Sequence, residues 1–401
     1  MNHYTENPSK KEAQILQAVT GLKGAIFEDV YEDGQQTHIV IRMERRTHLC
    51  PVCGMPTDSV HDYREQLVRD APAFGLQTVI HLKKRRYACR SCGRRFAETV
   101  PFLPRYQRTT NRLWSYCLHR LRRTVPMKDV AQESGLSQTT IARIADTLSY
   151  RRTSLPQAVS IDEFKGNSGG HKYQCILTDP KKKQVLDVLP SRRQDELCRY
   201  FGQFKGRSQV RYVVMDLSSL FRETARSCFP KAEIVADSFH VVQQATRAME
   251  NVRKRIQKDF ARSRRKYFKR SRKLLLMHKE QLSPEQLEQV SLMLSLSKDL
   301  AAAYYLLNQL YGVMASKDVY EAGKRLSDWF MAVNVAGIEE FMECARTYAN
   351  WMEEILNIFR TGLSNGYTEG CNNRIKVIKR NAYGMRNFER FRKRILHCMS
   401  S

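Results

Sequence analysis

The sequence predicts an α/β protein of several domains, and three observations carry this prediction. Its 401 residues suffice for about two to four domains, and a hydrophobic fraction of 42% supplies enough apolar surface to bury a core. Two pairs of closely spaced cysteines precede a helical stretch, and strand-like apolar segments that end in acidic residues follow it. A long stretch with helical periodicity separates these segments from the last part of the chain.

The charge of the chain restricts the class of partner. Its 68 Lys and Arg residues exceed its 41 Asp and Glu residues by 27, which gives a formal net charge of +27. A charge of this size indicates a polyanionic partner, either nucleic acid or an anionic membrane surface. No apolar run approaches about 18 residues, and no lipidation motif or secretory signal supports the membrane alternative. A basic protein without such a partner is the remaining alternative.

Four of the 11 cysteines form two CxxC motifs, Cys50–Cys53 and Cys89–Cys92. Two tight turns that each offer two thiolates can coordinate one tetrahedral Zn²⁺ ion. The 35 residues between the motifs include strand-like segments, which is compatible with a β-excursion between the two turns. A pair of redox-active CxxC motifs is the alternative. We predict a zinc-ribbon-like module within residues 1–100.

Basic residues cluster around the second CxxC motif. Seven Lys and Arg residues lie between positions 83 and 95. So basic a module is expected to contact phosphate groups, and the alternative is a structural zinc module with a solvated basic face. The predicted DNA contacts are Arg85, Arg86, Arg94 and Arg95.

Residues 101–152 predict a helix-turn-helix. Gly135 lies where the tight turn between two helices needs a permissive backbone, and Ser137 can cap the second helix. Ile141 and Ile144 would then be buried. An ordinary helical hairpin is the alternative. The outward side chains, which are of types that read base edges, are Gln138, Thr139 and Arg143.

Residues 153–242 predict a mixed sheet. The pattern indicates three strands, a helix, a fourth strand, a second helix and a fifth strand. This order implies helices packed against a mixed sheet, and it is the layout expected of a ribonuclease-H-like nuclease fold.

Acidic residues stand at the strand ends of this sheet and on a late helix. Asp162 and Asp216 are expected at the ends of the first and fourth strands, and Glu369 on the late helix. Because hard divalent cations prefer carboxylate oxygens, this set fits Mg²⁺ or Mn²⁺ better than zinc. Such a site can hold two ions that activate a nucleophile and stabilise the leaving oxygen. An aspartate at a strand end is by itself more often a turn or cap residue, so the prediction depends on the combination.

Residues 243–361 predict an all-α segment, and residues 362–401 a last helix and tail that complete the sheet domain. Residues 251–273 carry twelve Lys and Arg residues against one Asp. So dense a run repels itself unless a polyanion neutralises it, although a solvated helix face is the alternative. The predicted DNA contacts in these two segments are Arg253, Lys254, Arg264, Arg265, Asn373, Lys376, Lys379 and Arg380.

Three blocks of the sequence resemble the signature blocks of ISL3-family insertion-sequence transposases. They are Val-Ser-Ile-Asp-Glu-Phe at 159–164, Ala-Asp-Ser-Phe-His-Val at 236–241, and the segment 364–376 followed by Lys379 and Arg380. The resemblance extends from Cys50 to about Leu396. It implies an N-terminal zinc-binding module, a helix-turn-helix, and a DDE catalytic domain with a helical insertion before its last acid.

The resemblance implies that Asp162 is the first catalytic acid and Glu369 the last. The second acid stays open between two positions. The strand order favours Asp216, whereas the second block favours Asp237 with His240 close by. We rank Asp216 first and expect Asp237 and His240 to orient substrate or metal. For His240, a partly buried histidine at a helix start is the alternative.

A chain of this family is expected to bind the terminal inverted repeats of an insertion sequence and to cleave and join DNA strands. The resemblance further implies double-stranded DNA as partner, a synaptic assembly of at least two protomers, Zn²⁺ and Mg²⁺ or Mn²⁺ as cofactors, no membrane partner, and a bacterial cytoplasmic location on the nucleoid. The alternatives are a RuvC-like RNA-guided nuclease and a catalytically silent DNA-binding regulator. Zinc motifs upstream of the acids argue against the first, and intact acids argue against the second.

Overall fold

The computed structural model of the chain describes residues 10–73, 75–260, 262–270 and 272–400. These residues form two compact units, one of residues up to Tyr150 together with those from Val377 onward, and one of residues Arg151–Lys376. Within the described ranges, no helix combines the length and the apolar character needed to cross a membrane.

The first unit begins with helix α1 and a five-stranded sheet. The sheet order is β1-β2-β6-β5, with β7 paired to β6, while β3 and β4 pair with each other. Strand β2 alternates buried and partly exposed residues, because only one face of the sheet packs on the apolar core. The elements are α1 (Lys10–Thr20), β1 (Ala25–Glu32), β2 (Gln36–Met43), β3 (His48–Leu49), β4 (Pro56–Thr57), β5 (Val60–Ala73), β6 (Leu76–Ala88) and β7 (Arg95–Ala97).

Three helices follow, α2 (Asn111–Leu121), α3 (Met127–Ser134) and α4 (Gln138–Asp146). Gly135 ends α3 with a φ of 66°, in the left-handed region that favours glycine. The Ser137 hydroxyl accepts the backbone N–H of Thr140 and so caps α4. Ile141 and Ile144 are buried in the core that the three helices share. The predicted turn, cap and buried residues of the helix-turn-helix are therefore confirmed.

The second unit contains a five-stranded mixed sheet of order β10-β9-β8-β11-β12. Strand β9 runs antiparallel to β8 and β10, whereas β11 runs parallel to β8 and β12. The predicted order of strands and helices is confirmed. Strands β8 and β9 are buried along nearly their whole length, because side chains pack on both faces. The elements are β8 (Ala158–Phe164), β9 (Gln174–Asp179), β10 (Gln184–Leu189), α5 (Gln194–Gly202), β11 (Tyr212–Met215), α6 (Ser219–Cys228) and β12 (Glu233–Ala236).

Helices α7 to α14 occupy the chain from Ser238 to Thr361. Their shared core includes Trp329, Phe341 and Tyr348, and the Trp329 ring N–H donates to the Leu306 carbonyl. The helices are α7 (Ser238–Gln257), α8 (Arg262–Arg270), α9 (Arg272–Leu275), α10 (Pro284–Leu294), α11 (Lys298–Met314), α12 (Val319–Ala336), α13 (Glu339–Asn350) and α14 (Met352–Thr361).

The chain ends with α15 (Gly366–Asn381) and α16 (Phe388–Met399). From Val377 onward the residues cluster with the first unit. The Arg394 guanidinium donates to the carbonyl oxygens of Leu121, Arg123 and Val125, where α2 ends. The sequence-based division placed residues 362–401 in the sheet domain, and the structure differs from it for the residues from Val377 onward. Contacts with backbone carbonyls far away in the sequence leave no trace in a sequence pattern.

Candidate active site, zinc site and nucleic-acid interface

The four cysteines of the two CxxC motifs lie together. Their Sγ atoms are all within 4.8 Å of one another. Each motif folds back on itself, with the Gly54 N–H donating to the Cys50 carbonyl and the Gly93 N–H to the Cys89 carbonyl. Backbone N–H groups that point at the sulfur lower the pKa of Cys50 to about 6. Four thiol groups on two such turns match the ligand set of a structural Zn²⁺ ion, so the predicted cysteine cluster is confirmed.

Three aspartates stand at one edge of the mixed sheet. Asp162 lies in β8, Asp216 directly follows β11, and Asp237 directly follows β12. In the register of these parallel strands, Asp216 is level with Asp162 on one side and with Asp237 on the other. The carboxyl ends of parallel strands are where α/β sheets form their binding crevices.

A pocket opens at this edge. Strand β8 supplies Asp162 and the residue after β11 is Asp216, while α7 supplies His240 from its first turn and α15 supplies Glu369. Four of the five predicted catalytic residues therefore line one pocket, although up to about 200 residues separate them along the chain. The complete lining is Asp162, Glu163, Asp216, Phe239, His240, Glu369, Asn372, Asn373 and Lys376.

Asp237, the fifth predicted catalytic residue, does not line the pocket. Its side chain is 1% exposed, and its Oδ1 accepts the Phe239 backbone N–H as the N-cap of α7. His240 approaches it, with 3.8 Å between Nε2 and Asp237 Oδ2. Of the two candidates for the second acid, Asp216 faces the pocket and Asp237 lies behind it.

Burial raises the pKa of all three aspartates. The pKa of Asp162 rises to about 6, through burial first and the charge of Asp216 in addition. The pKa of Asp216 is raised by burial. The pKa of Asp237 rises to about 7, through burial and then the charge of Glu369. The proximity of so many carboxyl groups creates a local negative field that a divalent cation would neutralise.

Buried oxygen atoms in and behind the pocket accept no hydrogen bond from the described residues. They are Oδ1 of Asp216, Oδ2 of Asp237, Oε1 of Glu369 and Oδ1 of Asn372. Buried polar atoms nearly always have a partner, and carboxylate and amide oxygens are the ligands that Mg²⁺ and Mn²⁺ prefer. This donor set fits a hard divalent cation. Among the His, Cys, Asp and Glu side chains of the described residues, only those of the four cysteines bring three or more ligand atoms within 4.8 Å of one another.

The predicted base-reading side chains are exposed on α4. Gln138, Thr139 and Arg143 line a groove in the first unit, together with Asn381 and Tyr383. Tyr383 is 84% exposed. The outward orientation that the helical pattern predicts for α4 is confirmed.

Two predicted DNA contacts are corrected by the structure. Arg85 and Arg253 are only 3% and 4% exposed. Arg85 donates to the carboxylate of Glu98, and Arg253 donates to both oxygens of Glu250 at 2.8 Å. A buried guanidinium that is paired with a carboxylate is not available at the surface to contact DNA. The sequence signal for this ion pair was Glu250, which lies three positions before Arg253.

The buried Arg85–Glu98 pair leads to a stability prediction. Glu98→Ala should lower the free energy of unfolding of the first unit by about 3–5 kcal/mol, because it leaves a buried guanidinium without its partner. The exposed pair Arg46–Glu44 provides the control, and Glu44→Ala should cost less than about 1 kcal/mol. Denaturant unfolding of both variants measures the difference. Equal costs would contradict the structural role given to Arg85.

The remaining predicted DNA contacts differ in their surroundings. Arg94, Arg95, Lys254, Arg265, Asn373, Lys376 and Arg380 are exposed, and Arg86 and Lys379 are half-buried. Arg86 pairs with Asp62 at 2.9 Å, and Arg265 donates to the carbonyls of Lys258 and Phe260. The Arg264 side chain lies outside the described residues.

Three residues that line the pocket were missing from the predicted site. They are Glu163, Phe239 and Asn372. Asn372 follows Glu369 by three residues on α15, and this helical spacing already predicts that it shares a helix face with Glu369 and Lys376. Phe239 carried no comparable signal, since an exposed aromatic residue beside a pocket cannot be told from a core residue by its spacing.

Known families match the chain over three segments. The ISL3 model described as "Transposase" matches residues 159–395, the model described as "zinc-finger of transposase IS204/IS1001/IS1096/IS1165" matches residues 46–92, and the "Helix-turn-helix domain of transposase family ISL3" matches residues 98–149.

Two relatives have transposase names. The chain is 29% identical over 395 residues to the "Transposase for insertion sequence element IS1001" of Bordetella parapertussis, with 95% of this chain and 96% of that protein covered. It is 24% identical over 255 residues to the "Transposase for insertion sequence element IS1557" of Mycobacterium tuberculosis, with 57% of each chain covered. Because the first family model spans more than half of the residues, the chain belongs to the ISL3 family of transposases.

Proposed function

We propose that the protein is a DNA transposase that binds the terminal inverted repeats of an insertion sequence, cleaves DNA at the ends of the element and joins the freed strands to target DNA. The observation that carries this proposal is the pocket at the edge of the mixed sheet. Asp162, Asp216 and Glu369 line this pocket, within the segment that the family model matches. At least two protomers, bound at the two ends of the element, would form the synaptic assembly.

The sheet and the helices around it support a ribonuclease-H-like catalytic core. The central strand β8 has an antiparallel hairpin on one side and two parallel strands on the other. Helices α7 to α14 separate the last strand, β12, from the helix that bears Glu369. We therefore assign residues 153–242 and the first part of α15 to this core, and residues 243–361 to an all-α insertion.

We assign Asp162, Asp216 and Glu369 as ligands of Mg²⁺ or Mn²⁺. When bound, such ions would activate water or a 3′-hydroxyl and stabilise the leaving oxygen in a two-metal mechanism. Asp216 is preferred to Asp237 as second acid because its carboxylate lines the pocket. Asp237 and His240 would hold the start of α7 and the neighbouring carboxylates in position.

Positively charged side chains of the same pocket would bind the DNA backbone. Lys376 is exposed, and its ammonium group bonds Asn373 Oδ1 at 3.0 Å. An ammonium at the mouth of a carboxylate pocket can bind a phosphate oxygen and counter the repulsion between DNA and the acids. Lys254, Arg265 and Arg380 are the proposed backbone contacts outside the pocket.

The zinc module and α4 would recognise the element ends. Arg94 and Arg95 next to the second CxxC motif are exposed and can contact phosphate groups. Gln138, Thr139 and Arg143 are of the types that hydrogen-bond base edges in the major groove. Exposure of these side chains on the second helix of a helix-turn-helix supports this assignment.

Arg143→Ala should weaken binding to the terminal inverted repeats by about 1–3 kcal/mol and relax preference at one base pair. Arg226→Ala on α6 is the control, because this arginine is 57% exposed and lies outside the proposed interface. Fluorescence anisotropy with end DNA and with scrambled DNA measures both variants. Equal losses on the two DNA sequences would show that Arg143 contacts only the backbone.

The proposed activity is tested with purified full-length protein and DNA that carries the ends of the element. Cleavage at the ends in the presence of Mg²⁺ or Mn²⁺, followed by joining of the 3′-hydroxyl ends to a target plasmid, is the expected result. DNA with scrambled ends and reactions with a metal chelator are the controls. Specific binding without cleavage under any metal condition would identify a silent regulator and overturn the proposal.

A further inference from the structure

Asn372 connects α15 to the first aspartate of the pocket. Its amide Nδ2 donates to Asp162 Oδ2 at 2.8 Å and approaches the Glu163 carbonyl oxygen at 3.4 Å. An ionised carboxylate and a carbonyl only accept hydrogen bonds, so the NH₂ group of the amide must face them. The side chain is 8% exposed. The orientation of the amide is therefore determined by two acceptors on β8.

Because the amide nitrogen bonds acceptors on β8, only the oxygen of Asn372 remains for a further partner. That oxygen is buried and accepts no hydrogen bond from the described residues. Asp216 Oδ1 and Glu369 Oε1 have the same property, and all three residues line the same pocket. Three unpartnered buried oxygens in one pocket form a ligand set for a hard cation, since leaving them unpaired opposes folding.

Both oxygens of the Asp162 carboxylate are fixed by hydrogen bonds. Oδ1 accepts the Glu163 backbone N–H at 2.7 Å, and Oδ2 accepts from Asn372. Each oxygen retains a further lone pair for a cation. Such outer hydrogen bonds orient ligating carboxylates and tune their affinity for metal.

We propose that Asn372 is a positioning residue for Asp162 and a neutral fourth ligand to the divalent cation that Asp162, Asp216 and Glu369 hold. This inference rests on the proposed function. An amide suits the position better than a carboxylate for an electrostatic reason. A fourth ionised carboxylate at 2.8 Å from Asp162 would repel it, whereas the amide donates to Asp162 and still offers an oxygen to the cation.

The test is Mn²⁺ binding to the zinc-loaded full-length protein, measured from the electron paramagnetic resonance signal of free Mn²⁺. Asn372→Ala should weaken Mn²⁺ binding by about tenfold to a hundredfold. Asn334→Ala on α12 is the control, because this amide is exposed and does not line the pocket. It should bind Mn²⁺ as the wild type does. Cleavage by Asn372→Ala should require a correspondingly higher Mn²⁺ concentration.

A second variant keeps the inference testable if Asn372→Ala does not fold. Asn372→Asp should unfold at a lower temperature than the wild type in metal-free buffer, because two carboxylates then face each other. Mn²⁺ should raise its unfolding temperature more than that of the wild type. A purely structural asparagine would give a loss of stability that Mn²⁺ does not restore.

The aspartate and glutamate variants separate the two possible failures. If Asp162→Asn and Glu369→Gln bind Mn²⁺ as tightly as the wild type, the proposed metal site itself is wrong. If those two variants lose affinity while Asn372→Ala keeps it, the metal site stands and the role given to Asn372 is wrong.

Discussion

Asp162→Asn, Asp216→Asn and Glu369→Gln should each reduce metal-dependent cleavage of element ends by about a thousandfold or more, which corresponds to about 4 kcal/mol of transition-state stabilisation. Each change keeps the size of the side chain and removes the negative charge that attracts a divalent cation. All three carboxylates line the same pocket. Single-turnover cleavage at saturating protein, with DNA binding measured in parallel, separates lost chemistry from lost affinity.

Asp216→Asn should lose activity without losing stability. Burial raises the pKa of Asp216, so its charged form opposes folding near neutral pH. In metal-free buffer a neutral amide at this position should therefore leave the unfolding temperature unchanged or raise it. Asp195→Asn is the control, because this aspartate on α5 is 55% exposed and does not line the pocket. It should cleave as the wild type does.

Asp237→Asn should behave differently from Asp216→Asn. Asn is as good an N-cap as Asp, so α7 should keep its start and its stability. Because Asp237 lies behind the pocket, its loss of charge should reduce cleavage much less than the loss at Asp216. If Asp237→Asn abolishes cleavage while Asp216→Asn retains it, the two assignments must be exchanged.

Removal of zinc should unfold the N-terminal module and abolish specific end binding. Structural Zn²⁺ contributes roughly 10–16 kcal/mol in zinc-finger peptides at pH 7, which is comparable with or larger than the stability of a whole domain. Cys50→Ser should therefore lose its zinc and lose hydrogen-exchange protection in β3, β4 and the adjoining ends of β5 and β6. Zinc analysis and hydrogen exchange by mass spectrometry measure both effects.

Because the four cysteines lie in the first unit, the loss of hydrogen-exchange protection should be confined to that unit. The strands β8 to β12 belong to the second unit and should keep their exchange protection in Cys50→Ser. Cys198→Ser is the matched control, because Cys198 on α5 lies next to Cys228 and away from the cluster. It should retain zinc and end binding. Retention of one zinc per chain by Cys50→Ser would contradict the four-thiolate site.

Local features of the fold were predictable because their causes lie within one turn of the chain. Ser137 and Gly135 define the helix-turn-helix through a cap and a left-handed residue, and both act on neighbours at most four positions away. The same holds for each CxxC turn. The succession of strands along the chain was predictable because a strand that is buried on both faces appears in the sequence as a continuous apolar run.

The distinction between the two candidate second acids needed the tertiary structure. Asp216 and Asp237 both directly follow parallel strands, and the sequence divides between them, since the strand order favours Asp216 and the second block favours Asp237. What separates them is that Asp237 caps a helix and turns its carboxylate inward. The pairing of Asn372 with Asp162, across 210 positions, is likewise a contact between a helix and a strand that no local pattern contains.

The sequence by itself determined the cysteine cluster, the helix-turn-helix and the succession of strands and helices along the chain, because each depends on short-range spacing or on a family motif. Only the tertiary structure decided which basic residues remain available to DNA. Arg85 and Arg94 belong to the same basic cluster, yet Arg85 is buried against Glu98 and Arg94 is exposed. Net charge counts both alike, whereas burial depends on which acid the fold brings to each guanidinium.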